Sequence, residues 1–179
     1  MKIVIAGSHG TGKTTLARLL ARLLDLPLLP DVAVEAHQKG FAINENTPLE
    51  TQFWMFAKQL EYERMLGDKF IGDKCLIDYS VYGDIVLNHD PAKRMLAELI
   101  RPNARYDFIF YLPIEFPIED NKIRSLDPDF QLAVDRHYLE ILNSWGLAYA
   151  TLSGSVQDRL AQALEIINER ISCQTAILD

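Results

Sequence analysis

A three-layer α/β fold, with a five-stranded parallel sheet between two layers of helices, is what this chain predicts. Three observations carry that expectation. The stretch Gly7-Ser8-His9-Gly10-Thr11-Gly12-Lys13-Thr14 stands between a short β-branched run, Lys2-Ile3-Val4-Ile5-Ala6, and a run of good helix formers from Thr15 to Leu24. Strand-like apolar runs and helical segments then alternate along the chain, the pattern of a parallel sheet with crossover helices. Two of the apolar runs lead into a carboxylate, Asp31 and Asp78, and open α/β sheets bind ligands outside the carboxyl ends of their strands.

The first stretch reads G-x-x-x-x-G-K-[ST], the phosphate-binding P-loop, in its proper setting of strand, glycine loop and helix. Gly7, Gly10 and Gly12 let the backbone turn sharply and bring its N–H groups toward phosphate oxygens. The helix that follows aims its positive dipole end at the same place. The expected nucleotide-binding set is Gly7, Ser8, His9, Gly10, Thr11, Gly12, Lys13, Thr14 and Thr15. Lys13 supplies a mobile charge for the outer phosphates, and the Thr14 hydroxyl suits Mg²⁺. A plain glycine-rich turn would not explain Lys and Thr directly after Gly12.

Composition narrows the class. The chain has 179 residues, 49% of them hydrophobic, enough for one domain with a sizeable core, so residues 1–179 are expected to form a single unit. Its formal charge is −7, from 18 Lys+Arg against 25 Asp+Glu, with a pI near 5.1, which argues against a general nucleic-acid binder. Focused cations can still hold an anionic substrate. Cys75 and Cys173 have no metal-ligand spacing and suit a reduced, cytoplasmic setting. The first apolar run is too short for a signal peptide, and no stretch approaches transmembrane length. The histidines at 9, 37, 89 and 137 show no metal or triad spacing.

Taken in order, the first helix is expected to end near Asp25. Leu26 to Leu29, interrupted by Pro27, reads as a short peripheral second strand. Asp31 follows as a candidate catalytic acid, and equally as the N-cap of a helix from Val32 to Lys39 that Gly40 ends. Glu35 is the reserve candidate one turn later. Thr47-Pro48-Leu49-Glu50 has the letters of a capping box, starting a helix to about Leu66 with Leu49, Phe53, Phe56 and Leu60 as its core stripe. Gln52 and Gln59 share another face, which suits reading a nucleobase or carboxamide edge, or simply facing solvent.

Lys74-Cys75-Leu76-Ile77-Asp78 reads as a buried third strand, and Asp78 is the candidate acid for the magnesium shell, or a cap for the helix opening at Tyr79-Ser80. Tyr82 and Asp84 fall on that helix. Asp90-Pro91 starts the next, with Met95, Leu96, Leu99 and Ile100 inward. Tyr106 to Leu112 is the clearest central strand. A polar lid of about residues 115–127 follows, with Lys122 and Arg124 as cations able to close over phosphates or to sit in solvent. Asp127-Pro128 caps a helix with Phe130, Val134, Tyr138, Ile141 and Trp145 inward. Leu147 to Leu152 is the fifth strand. Its carboxyl end turns through Ser153-Gly154-Ser155 near a nucleotide base, with Arg159 close by as a surface residue or a ligand. The last helix turns Val156, Leu160, Leu164, Ile167 and Ile171 inward, and residues 173–179 read as a loose tail. For Asp78 to reach the P-loop, its strand must lie beside the first, which gives the strand order 2-3-1-4-5.

On these residues the chain resembles the small P-loop kinases of nucleosides and nucleotides, over almost its whole length. Asp78-Tyr79-Ser80-Val81-Tyr82-Gly83-Asp84 resembles the deoxynucleoside-kinase motif E-R-S-V-Y-S-D, and Gln52 matches that family's base-reading glutamine. Tyr111-Leu112-Pro113, Asp120 to Arg124, Gly154-Ser155 and Arg159 are more similar to the ribosylnicotinamide-kinase-like ATPases. The chain departs from both: Tyr79 and Val34 stand where the two groups carry arginine, and the lid shows one clear arginine. The resemblance implies a P-loop NTPase fold and transfer of the γ-phosphoryl group of ATP, with Mg²⁺, to a hydroxyl of a small nucleoside-like acceptor. It implies Lys13, Asp31 and Arg124 as catalytic residues and Thr14 and Asp78 at the metal. Gly154 and Arg159 join the nucleotide set, and Glu35, Gln52, Gln59, Tyr79 and Asp84 line the acceptor. The implied partners are that acceptor and at most a second copy in a homodimer, with no nucleic acid and no membrane. The alternative is a regulatory ATPase or GTPase switch without a small acceptor. No N-K-x-D tetrapeptide for guanine occurs, since Arg124 stands in its last place.

Overall fold

The computed structural model describes residues 1–43, 46–117 and 126–175. In chain order these form β1 (Lys2–Ala6), α1 (Lys13–Leu24), α2 (Val32–Gln38), α3 (Leu49–Leu66), β2 (Phe70–Gly72) and α4 (Leu76–Val86). Then come α5 (Asp90–Ile100), β3 (Phe108–Tyr111), α6 (Pro128–Ser144), β4 (Ala150–Thr151) and α7 (Val156–Thr175). All strand pairs are parallel, in the order β2-β1-β3-β4.

The strands read as continuous apolar runs because both sheet faces are covered. Val4, Ala6, Phe70, Ile109 and Tyr111 pack on one face with residues of α2 to α6. Ile3, Ile5, Ile71, Phe108 and Phe110 alternate onto the other, against α1 and α7. The architecture is therefore three-layered, as expected, but the sheet has four strands among the described residues where five were expected. The segment from Leu26 to Leu29 lies beside β2, where the order 2-3-1-4-5 puts it, yet makes one bridge, Leu28 to Ile71. Its backbone bonds are Ile71 N–H to Pro27 O at 2.9 Å and Leu29 N–H to Ile71 O at 2.8 Å. Prolines at 27 and 30 have no N–H to extend that ladder.

The expected third strand is displaced. Residues 70–72 make the strand, in register Lys2 to Phe70 and Val4 to Gly72, while Leu76 already begins α4. Asp78 is thus not at a strand end. It sits in the first turn of α4, where its Oδ2 accepts the Cys75 N–H at 2.8 Å as half of a capping box. A short apolar run such as Cys75-Leu76-Ile77 looks alike as strand or buried helix start.

Helix starts split similarly. Asp31 and Asp127 cap α2 and α6 through bonds from Ala33 and Asp129 N–H, both at 2.9 Å. The expected Thr47 cap is absent: Pro48 is the N-cap of α3, without a side-chain bond, and Thr47 is buried in a cavity wall. The buried face of α3 is also rotated from the expected stripe. Leu49 is exposed, whereas Thr51, Gln52, Met55, Phe56, Gln59 and Glu63 are buried. On α5, Leu96 and Ile100 are buried but Met95 and Leu99 face outward, and Ile171 of α7 is exposed.

Polar residues on that α3 face form a buried network. The Gln59 amide donates to Glu63 Oε1 at 2.9 Å and to Lys74 O at 3.2 Å, and its oxygen accepts the Tyr79 hydroxyl at 3.3 Å. Tyr106 donates to Glu63 at 3.0 Å and accepts the Leu76 N–H at 3.0 Å. The network ties α3 to residues 74–79. Burial pushes the Glu63 carboxyl up to about 7, against the bonds from Gln59 and Tyr106 that favour its anion. A folded-state value above the unfolded 4.5 means that the folded protein holds the proton more tightly. Stability from this group is full below about 4.5 and is lost as pH rises through about 7, by at most about 3 kcal/mol. Glu63→Gln should flatten that slope in denaturant melts between pH 4.5 and 7.5, a window chosen around those two values.

Gly7 is where backbones approach most closely. Its φ is +126°, and a Cβ there would lie 2.5 Å from Leu112 O. Gly7→Ala should cost about 2–4 kcal/mol of stability, read in the same melts, because both the backbone angle and the contact are violated.

Candidate functional site

Gly7, Gly10 and Gly12 all have positive φ, at +126°, +76° and +86°, so β1 passes into a loop whose amides can turn to one side before α1 begins. A loop that turns its N–H groups outward sends carbonyls inward, and each buried carbonyl needs a donor. Four of the loop carbonyls have donors in view. Ser8 O receives the Lys13 ammonium at 2.5 Å and the Thr11 hydroxyl at 2.9 Å. His9 O receives the Gln131 amide at 2.7 Å, Thr11 O receives Arg159 Nη1 at 2.6 Å, and Gly12 O receives the Leu16 N–H at 3.2 Å.

Arg159, expected at the surface or on a ligand, is 2% exposed and acts as a brace. Its Nη2 also pairs with Glu115 Oε2 at 2.5 Å, and its guanidinium lies 5.0 Å from the centre of the Phe116 ring. Gly154 N–H bonds the same Glu115 oxygen at 2.9 Å. So Gly154 and Arg159 tie the turn after β4 to the entrance of the 115–127 segment. Arg159 borders the groove below, and Gly154 does not line it.

Along the carboxyl edge of the sheet runs an open groove. Lys13, Thr14, Thr15 and Arg18 line it, together with Asp31, Val34 and Asp73. The acid next to Thr14 is Asp73, at the end of β2: Thr14 Oγ1 donates to Asp73 Oδ2 at 2.6 Å. Asp78, expected there, instead pairs with Lys74 at 3.3 Å inside the protein. Burial alone would raise its carboxyl, but the Lys74 and Lys13 charges and the Tyr138 hydroxyl hold it below the ordinary value. The strand-end acid and its neighbouring cation are therefore Asp73-Lys74, a position that the letter match at Asp78-Tyr79 displaced. In the sequence Phe70-Ile71-Gly72 before Asp73 is a second short apolar run, and nothing local ranks it above Cys75-Leu76-Ile77 before Asp78.

Behind the groove lies a cavity enclosing about 530 Å³ of free space, part of it open to solvent. Gln52, Met55, Thr47, Lys74, Asp78, Tyr79, Tyr82 and Phe130 line it, with His9 shared between cavity and groove. Gln52 is 2% exposed, and its Oε1 has no hydrogen-bond partner among the described residues. The Lys74 ammonium also lies 4.9 Å from the centre of the Tyr82 ring.

The structure thus brings Gln52 and Tyr79 to one cavity and does not bring the other expected acceptor residues there. Gln59 is fully buried behind the wall, in the Glu63 network. Glu35 accepts the Tyr62 hydroxyl at 2.6 Å and pairs with Lys39. Asp84 meets His137 Nε2 at 3.0 Å. Lys122 and Arg124 lie outside the described residues. Gln131 and Lys74 were not anticipated. Gln131 was invisible because its partner, the loop, is remote in sequence.

A family model described as an AAA domain matches residues 2–159. Three solved structures share the fold. A deoxyadenosine kinase from M. mycoides aligns over 94% of this chain and 99% of its own at 14% identity, with a TM-score of 0.70. The NadR protein in complex with NR gives 21% identity and 0.78 over 94% of this chain, which spans half of NadR. Thymidylate kinase from Candida albicans gives 17% and 0.68, over 94% of this chain and 91% of its own. None of the curated proteins matches the sequence. The chain belongs to the AAA-domain family whose model spans residues 2–159, and its fold is that of the P-loop kinases of nucleosides and nucleotides.

Proposed function

We propose that this protein is a kinase that moves the γ-phosphoryl group of ATP to a hydroxyl of a small nucleoside-like acceptor. The observation that carries the reading is the cavity beside the phosphate groove, with a buried amide oxygen, Gln52 Oε1, that has no donor among the described residues. A buried polar atom without a partner is costly, and a ligand N–H or O–H would satisfy it. A nucleotide switch that acts on no small molecule has no use for such a cavity.

Residues at the groove fit a nucleotide with magnesium. Thr14 and Asp73 offer a hydroxyl and a carboxylate in direct contact, the hard oxygen donors that Mg²⁺ takes alongside phosphates. Bound there, the ion would neutralise phosphate charge. Such transfer depends on positioning and charge neutralisation more than on covalent chemistry by the protein. Lys13 is poised on the loop and moves from Ser8 O toward the outer phosphates. Asp31, oriented by the Ala33 N–H, accepts the acceptor's hydroxyl proton at the groove edge. Arg124 is the residue whose cation would neutralise charge on the transferred group. Lys74 contributes the cation beside the acceptor that the sequence seemed to lack at Tyr79.

The test is a panel of nucleosides and mononucleotides mixed with protein, ATP and Mg²⁺, scored by ADP release and by mass of the phosphorylated product. Acceptor-stimulated release is expected, whereas slow hydrolysis indifferent to every acceptor would sink the proposal in favour of a switch. Two carboxylate variants separate the acids. Asp73→Asn should lower turnover by roughly 10²-fold or more with little loss of stability, because it removes an oxygen donor from the metal shell. Asp78→Asn should instead lower stability by about 2–4 kcal/mol, because it leaves Lys74 buried without its carboxylate partner. Steady-state kinetics beside melts of both proteins checks the pair.

A further inference from the structure

His9 belongs to the phosphate loop by sequence, but its side chain is built into the other site. The imidazole lies 5.8 Å from the Phe130 ring at 35°, and its Nδ1 is 3.3 Å from the Tyr82 hydroxyl. Tyr82 and Phe130 are themselves 6.2 Å apart. Both line the inner cavity, and neither lines the groove. His9 is 3% exposed, so this placement is a packed one. A phosphate loop works through its backbone N–H groups, which leaves the side chain at a variable position available for another task.

The direction of the ring is set from two sides. Gln131, in the first turn of α6, donates its amide to His9 O at 2.7 Å, and its own carbonyl accepts the Ser8 hydroxyl at 3.0 Å. His9 Nδ1 lies 3.4 Å from the Ser8 hydroxyl oxygen and 3.3 Å from that of Tyr82, so two hydroxyls flank the same ring nitrogen. The backbone of His9 and the Ser8 hydroxyl beside its ring are thereby both tied to α6. Phe130, the neighbour of Gln131, supplies the adjacent cavity wall.

We propose that His9 determines acceptor specificity: the imidazole, carried on the phosphate loop and held by Ser8, Tyr82 and Gln131, forms with Tyr82 and Phe130 an aromatic wall that selects acceptors with a planar ring. This rests on the kinase reading above. One residue then serves both substrates, by its backbone for the donor phosphates and by its ring for the acceptor. Changing the ring alters acceptor selection and leaves the phosphate cradle in place.

The experiment uses the acceptor that the nucleoside panel identifies, with ADP as the nucleotide probe. His9→Ala should raise the acceptor KM about tenfold or more while the ADP dissociation constant stays within about threefold. His9→Phe restores a ring without Nδ1, so it should recover part of that KM loss and reorder the panel toward the more apolar rings. Parallel loss of ADP affinity and acceptor KM would make His9 a loop residue only and overturn the proposal, as would an unchanged acceptor KM. If His9→Ala does not fold, His9→Phe decides alone, and an unchanged panel order overturns the proposal. If the wild-type protein stimulates with no acceptor at all, the kinase reading fails, and this inference falls with it.

Discussion

The structure depends on a hydrogen-bonding constraint at residues 7–12. A loop that offers its amides to an anion turns carbonyls into the protein, where water is excluded. Ser8, His9, Thr11 and Gly12 each meet this with a different donor: the Lys13 ammonium, the Gln131 amide, the Arg159 guanidinium and the first full turn of α1. Two of those donors come from helices more than a hundred residues away. The loop therefore reports the packing of α6 and α7 on the sheet. Arg159 also joins Glu115 and the Gly154 turn, so the entrance to the 115–127 segment shares the same anchor.

A second constraint is the burial of polar groups between α3 and α4. A helix whose inward face carries Gln52, Gln59 and Glu63 gains less from apolar burial than one lined with leucine. Gln59 and Glu63 answer the cost by bonding each other, Tyr79, Tyr106 and the backbone of Lys74. Among the described residues Gln52 alone of the three keeps an unsatisfied oxygen, and it alone of the three lines the cavity. Network and cavity thus divide the polar face between them. Lys74 belongs to both: its carbonyl holds Gln59, and its ammonium, paired with Asp78, borders the cavity.

How much was legible in the sequence follows from the range of the interactions concerned. The phosphate loop, the start of α1 and the Asp31 and Asp127 caps are decided within a few residues, so their letters suffice. The two-faced sheet was legible too, because β3 is apolar throughout and β1 is apolar at every position after Lys2, which suits a doubly covered strand. The Leu26–Leu29 strand was overread because an edge pairing depends on how long a partner stays alongside, and the flanking prolines end it.

What the tertiary structure alone decided is which acid stands at Thr14. Local pattern cannot choose between Asp73 and Asp78, since Phe70-Ile71-Gly72 and Cys75-Leu76-Ile77 are both short apolar runs. The register of β1 against residues 70–72 makes the choice, by placing the strand end at Gly72 and leaving the next apolar run to open a helix. Gln131 and Arg159 were chosen the same way. Nothing near them in sequence marks them, and their roles exist only because helices from the distant end of the chain pack beside the loop. The sequence by itself determined where the glycine loop between β1 and α1 lies. Packing determined which side chains complete it, because the donors to a buried carbonyl are selected by proximity in space.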